Sequence, residues 1–211
     1  MSDQQLRDEV MTLFLAGHET TALTLAWTWY LLGKYPEVEK KFHEEIDEVI
    51  GDREPTFADL PRLKYTEQIA KECMRLYPPA YGLGREAINE CEIGGYAIPA
   101  RTQVFMFQWT TQRDCRFYTQ PEEFIPERWT EDFIAQLPKF AYFPFGGGPR
   151  ACIGASFAMM EIILVLATIG RKFRLELVPD HPVTIYPAMS LRPGDGVKVV
   201  IKPRRSEVHV N

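Results

Sequence analysis

No apolar run in the 211-residue sequence can cross a bilayer. The longest strongly apolar stretch, Ile162–Ile169, falls well short of the roughly 20 residues a spanning helix needs. The opening Ser2-Asp3-Gln4-Gln5 is polar and lacks a signal peptide's apolar core. Basic residues are in the minority, with 24 Lys and Arg against 29 Asp and Glu and a net charge of −5. That balance argues against a nucleic-acid partner. Cysteine is sparse: Cys73, Cys91, Cys115 and Cys152 form no C-x-x-C pair and no ligand-like spacing with the four histidines. A zinc site or disulfide framework is therefore not expected. No bias or repeat points to disorder, collagen or a whole-chain coiled coil. What remains is a globular composition, 45% hydrophobic, 25% charged and slightly aromatic-rich at 12%. The chain is long enough to bury on the order of 70% of its unfolded surface.

Helices come first. Leu6, Val10, Leu13 and Phe14 recur at helical spacing in a segment running from Leu6 to about Leu32. After Pro36 a second helix is predicted from Glu37 to Ile50, with Val38, Phe42, Ile46 and Val49 on its apolar face and Gly51 as its stop. Glu37–Lys41 and Lys41–Glu45 are candidate i,i+4 pairs on its wet face. A third helix is expected over 62–77, with Ile69, Cys73 and Leu76 inward, ended by Pro78-Pro79. Residues 85–107 read as strands. Residues 113–150 carry much Pro, Gly and aromatic content but little periodicity, and so long a structureless stretch is often functional. Ala155 to about Arg171 reads as a helix apolar almost all round, hence buried. Alternation at Phe173/Leu175/Leu177, Val183/Ile185 and Val197/Val199/Ile201 predicts a β-rich tail. No linker divides residues 1–211.

Three segments carry chemistry. Phe143–Gly154 sets three glycines and Arg150 before Cys152, just ahead of a helix start, where the thiolate is favoured. Such a cysteine serves as nucleophile, metal ligand or redox thiol; the plain alternative is an inert thiol beside a turn. Glu72 and Arg75 share a helix face at i,i+3, and Arg128 is a candidate third partner. Buried, such charges need further hydrogen bonds; exposed, they contribute little. In Ala16-Gly17-His18-Glu19-Thr20-Thr21 small residues open one helix face, and threonines can bond back to the preceding turn.

Phe145-x-x-Gly148-x-Arg150-x-Cys152-x-Gly154 resembles the haem-binding loop of the cytochrome P450 family, the haem-thiolate monooxygenases. Lys71-Glu72-Cys73-Met74-Arg75 matches that family's Glu-x-x-Arg. Pro126-Glu127-Arg128-Trp129 is similar to its Pro-Glu-Arg-Phe, and the hexapeptide at Ala16 to its Ala/Gly-Gly-x-Asp/Glu-Thr-Thr. The motifs fall in the family's order. The resemblance implies a mainly α fold with small β-sheets and haem b as cofactor, with Cys152 as proximal iron ligand. It implies Arg150 and Arg85 as haem-propionate partners, Phe145 beside the ligand, and Gly148 and Gly154 permitting a tight path. It further implies a Glu72–Arg75–Arg128 network locking the meander, and Glu19 and Thr20 as the acid–alcohol pair delivering protons to bound dioxygen. His18 is read as helix surface, not as an iron ligand. The implied partners are O₂, an apolar substrate (the wording at Ala16 resembles fatty-acid hydroxylating members) and an electron-donating reductase or ferredoxin.

Two departures stand out. Gln112-Arg113-Asp114-Cys115 occupies the place of the family's common His-Arg-Asp-Pro, and the chain is about half the family's usual length. The resemblance thus implies the C-terminal part of the P450 fold, with an N-terminal half absent. Localisation is left between cytoplasm and membrane association through residues not in this chain. A non-catalytic fragment, or a half-chain that complements a partner, is the competing expectation; a haem-thiolate sensor is disfavoured by Glu19-Thr20. On this reading the isolated chain should associate and bind haem substoichiometrically.

Overall fold

The computed structural model describes residues 1–204, so residues 205–211 of the expected unit lie outside the described part. The helices are α1 (Asp3–Lys34), α2 (Pro36–Val49), α3 (Lys64–Leu76), α4 (Gln108–Thr111), α5 (Glu131–Gln136) and α6 (Ala155–Lys172). Short 3-10 turns cover Phe57–Arg62, Pro126–Arg128 and Gly148–Arg150. Local chemistry explains the boundaries. Ser2 Oγ accepts from Gln5 N at 3.2 Å while Gln5 Oε1 accepts from Ser2 N at 2.9 Å, a capping box that opens α1. Pro36 opens α2, and Gly51, at φ +62, turns the chain out of it. The start of α3 has no cap of its own. Glu45 of α2 supplies one, its carboxylate accepting from Tyr65 N at 2.6 Å and Thr66 N at 2.8 Å.

The strands form four antiparallel pairs. β1 (Leu83–Glu86) pairs with β4 (Gln103–Met106), and β2 (Cys91–Ile93) with β3 (Tyr96–Ile98). β5 (Phe173–Leu177) pairs with β8 (Val199–Pro203), and β6 (Ile185–Pro187) with β7 (Leu191–Pro193). The fold is mainly helical with small sheets. The core lies between α1, α2, α3 and α6, where Trp27, Leu32, Phe42, Ile46, Ile69, Cys73, Ile162 and Leu166 are buried. Gly170 of α6 permits this closeness, since a Cβ there would sit 2.5 Å from the Phe42 ring.

Several expectations fail locally. The apolar face predicted at Leu6, Val10, Leu13 and Phe14 is exposed, and so is every residue from Met1 to Glu19. Only the second half of α1 joins the core. Likewise the buried residues of α6 all lie from Ile162 onward, whereas Phe157 is 65% exposed. Apolar periodicity reports that a face wants cover, and no described residue covers these. Lys41 pairs with Glu127 at 2.5 Å, because Glu45 is already committed to α3. Among the described residues no helix is long and apolar enough to cross a membrane.

Candidate functional site

Glu72, Arg75 and Arg128 meet in the interior. Glu72 and Arg75 are fully buried and Arg128 is 8% exposed. Arg75 Nε and Nη2 donate to the two Glu72 carboxylate oxygens, each at 2.9 Å, and Arg128 Nε donates to Oε1 at 2.9 Å. Two further donors complete the shell: Trp129 Nε1 to Oε2 at 2.9 Å and Ile125 N to Oε1 at 3.1 Å. Five donors on one carboxylate offset the desolvation that a buried charge incurs. The arginines spend their other hydrogens on the meander. Arg75 reaches the carbonyls of Gln112, Pro121 and Glu123, and Arg128 those of Thr119 and Gln120. A pair of charges on α3, joined by Arg128 from the 3-10 turn Pro126–Arg128, thus clamps a segment that has little regular structure. The tryptophan standing in for the family's phenylalanine supplies a donor that phenylalanine lacks.

Cys152 lies two residues before Gly154, the residue capping α6. Its N–H donates to Phe145 O at 2.8 Å, closing a loop in which Gly146 (φ +70) and Gly148 (φ +67) occupy the left-handed region. The Cys152 thiol is exposed, and so are the side chains of Arg150 and Ile153. Phe145 is half-buried. A methyl group on Gly154 would stand 3.9 Å from Cys152 Sγ, and one on Gly146 would stand 3.6 Å from Leu83 of β1. The loop therefore abuts β1, which carries Arg85 two residues beyond Leu83. Arg85 is exposed, donates to Gly84 O at 2.7 Å, and borders a shallow groove with Glu86, Gln103 and Phe105. The other cysteines differ. Cys73 is fully buried, its thiol pushed up to about 12 by burial, and Cys91 and Cys115 are exposed outside any such loop.

On α1, Thr20 Oγ1 donates to Ala16 O at 2.8 Å, a back-bond that leaves its oxygen lone pairs open. The exposed Glu19 carboxylate accepts from Ser190 Oγ at 2.8 Å. Ser190 follows the tip of the β6–β7 hairpin, which is pinned by Trp27 Nε1 to Leu191 O at 3.0 Å and Tyr81 OH to Ala188 O at 2.8 Å. His18 stacks on Phe14 along the exposed half of α1. Sequence reasoning missed Ser190, Trp129 as a donor, and Gln112. The first two join segments more than 50 residues apart, which no local pattern reports. Among the described residues no group of three or more His, Cys, Asp or Glu side chains is placed to hold a metal ion.

The chain matches the family described as Cytochrome P450 over residues 1–201. It is 41% identical to cyclooctatin synthase of Streptomyces melanosporofaciens over 97% of this chain and 44% of that protein. It is 38% identical to Protein LUTEIN DEFICIENT 5, chloroplastic, of Arabidopsis thaliana over 100% of this chain and 36% of that protein. A crystal structure of a cytochrome P450 (CYP102L1) superposes with a TM-score of 0.89 at 29% identity, covering 97% of this chain and 46% of that one. The chain thus spans less than half the length of these relatives. With a matching family over nearly its whole length, relatives at this identity and a shared fold, the chain belongs to the cytochrome P450 family.

Proposed function

We propose that this chain is the C-terminal, haem-carrying part of a monooxygenase that inserts one atom of O₂ into an apolar organic substrate. Two electrons from a separate donor and two protons reduce the other oxygen atom to water. The observation that carries this reading is the Cys152 loop: an exposed thiol on a glycine-bearing turn at the start of α6. Family membership implies haem held by a cysteine thiolate. The residues present fit such a group. Iron held this way takes one protein sulfur, so no metal-binding cluster is required. A Cβ at Gly154 would stand in ordinary van der Waals contact with Cys152 Sγ, at 3.9 Å, and glycine leaves that space open. Arg150 and Arg85 are exposed cations suited to carboxylates, and Ile153 and Phe157 offer apolar surface beside the thiol in sequence.

When bound, haem supplies the iron at which dioxygen is activated, with thiolate donation favouring O–O cleavage. The chain's own tasks follow. Cys152 would hold the iron through its sulfur, on a loop fixed by its own N–H bond to Phe145 O. Arg150 and Arg85 would orient the group through its carboxylates. Glu19, with Ser190 on its carboxylate, is the ionisable member of the proton-delivery pair. Thr20 accepts a proton-bearing partner at Oγ1 while its own hydrogen stays on Ala16 O. The exposed apolar residues Leu6, Val10, Leu13 and Phe14 are covered, on this reading, by the part of the fold that the relatives possess and this chain does not span.

A Streptomyces melanosporofaciens relative, 42% identical over 85% of this chain, is named cyclooctat-9-en-7-ol 5-monooxygenase. A substrate panel should therefore include that alcohol together with fatty acids. The test is reaction under ¹⁸O₂ with a reductase or ferredoxin system and haem-loaded protein. One ¹⁸O atom in an organic product is the expected result. Intact haem binding with no labelled product from any apolar substrate would leave the non-catalytic reading in place.

A further inference from the structure

We propose that Gln112 is a positioning residue for the Cys152 loop, tying it to the buried Glu72–Arg75 pair. Gln112 is fully buried, and its amide makes three hydrogen bonds to two different segments. Nε2 donates to Met74 O and to Arg75 O, each at 3.0 Å. Oε1 accepts from Phe143 N at 3.3 Å. Its backbone carbonyl accepts from Arg75 Nη1 at 2.8 Å.

The two carbonyls it takes are among the last four of α3, which have no partner within the helix. The neighbouring ones go to Tyr77 N, bonded to Cys73 O, and to the Arg113 side chain, bonded to Leu76 O. Gln112 is thus seated by the helix end and by Arg75 before it touches the loop. What it then holds is the first residue of the turn that leads to the thiol. Phe143 O accepts from Gly146 N at 2.8 Å, and Phe145 O accepts from Cys152 N at 2.8 Å. The path from the ion triad to the sulfur runs through Arg75, Gln112, Phe143 and the glycine turn. Tyr142 OH, donating to Lys71 O at 3.0 Å, fastens the adjoining residue independently. Removing the Gln112 amide should therefore loosen the loop without detaching it.

The geometry also separates glutamine from the histidine that the resemblance leads one to expect at this position. A neutral imidazole has one donor and one acceptor, so it can meet Phe143 N and a single carbonyl. The glutamine meets both carbonyls and the amide.

The inference rests on the haem-thiolate reading only in its spectroscopic arm. The first arm follows amide hydrogen exchange in the purified chain. Gln112→Leu should speed exchange at Phe143, Gly146 and Cys152 by about tenfold or more, with the α3 interior amides unchanged. Gln112→His, which keeps an acceptor for Phe143 N, should restore part of that protection. The second arm records the ferrous–CO spectrum of haem-loaded protein. Gln112→Leu should convert a fraction of the thiolate-type band to a band without thiolate character, and Gln112→His should convert less. Loop exchange unchanged in Gln112→Leu, or raised equally in α3 and the loop, would overturn the proposal. A wild-type protein lacking the thiolate-type band would refute the haem ligation instead, and the exchange arm would still decide the role of Gln112.

Discussion

The Glu72 joint and the Cys152 loop treat a reactive group in opposite ways. At Glu72 a charge is taken wholly out of water and given five donors, so that nothing is left for a ligand to do. At Cys152 the backbone is fixed by its bond to Phe145 and the sulfur is left in the open. Cys73 makes the contrast within one residue type. One position after Glu72, its thiol is sealed, donates to Thr24 O at 3.5 Å, and is raised to about 12 by burial. The comparison teaches that stability and chemistry are placed on separate parts of this fold, joined at Gln112.

That separation predicts a ladder of stability effects. Glu72→Ala strands two buried guanidinium groups and should cost about 3–5 kcal/mol in urea unfolding. Paired with Arg128→Ala it should be strongly non-additive; additive losses below 1 kcal/mol would show that the joint is not a unit. Trp129→Phe removes one donor from a charged acceptor, and about 1.5–3 kcal/mol should be lost. An unchanged unfolding midpoint would mean that the indole bond contributes nothing. His43 sharpens the comparison because its buried Nε2 has no partner among the described residues. Burial, with Arg204 and Arg174 adding repulsion, lowers its pKa to about 4. The unfolded chain takes up that proton near pH 6.5 and the native state does not, so stability should fall as pH drops from about 6.5 to 4. His43→Gln should flatten this slope; an identical pH profile in both proteins would remove His43 as its source.

Much of this arrangement was legible in the residues. α2 and α3 follow from apolar spacing and their Pro and Gly punctuation, and Glu72, Arg75, Arg128 and Cys152 stand in recognisable motifs. The short 3-10 turns, α4, α5 and β7 were not legible. They are too short for periodicity to register, and their partners lie far along the chain; Leu191 N, for instance, bonds Pro79 O. The first half of α1 misleads in a physically informative way. Its apolar residues follow a core-facing spacing, but spacing says only which face seeks cover. Glu19 was placed by its motif, whereas its bond to Ser190 depends on a hairpin 171 residues away.

The smallest stability effect in the series should accompany the greatest spectroscopic one. Cys152→Ser alters an exposed side chain and should move the unfolding free energy by less than about 0.5 kcal/mol. The most direct test of the account is therefore the ferrous–CO absorption spectrum of the haem-loaded protein and its Cys152→Ser variant. The account predicts the red-shifted Soret band of thiolate ligation in the parent. It also predicts loss of that band in Cys152→Ser, and its retention when Cys73, Cys91 or Cys115 is replaced singly. A thiolate-type band surviving in Cys152→Ser would contradict it.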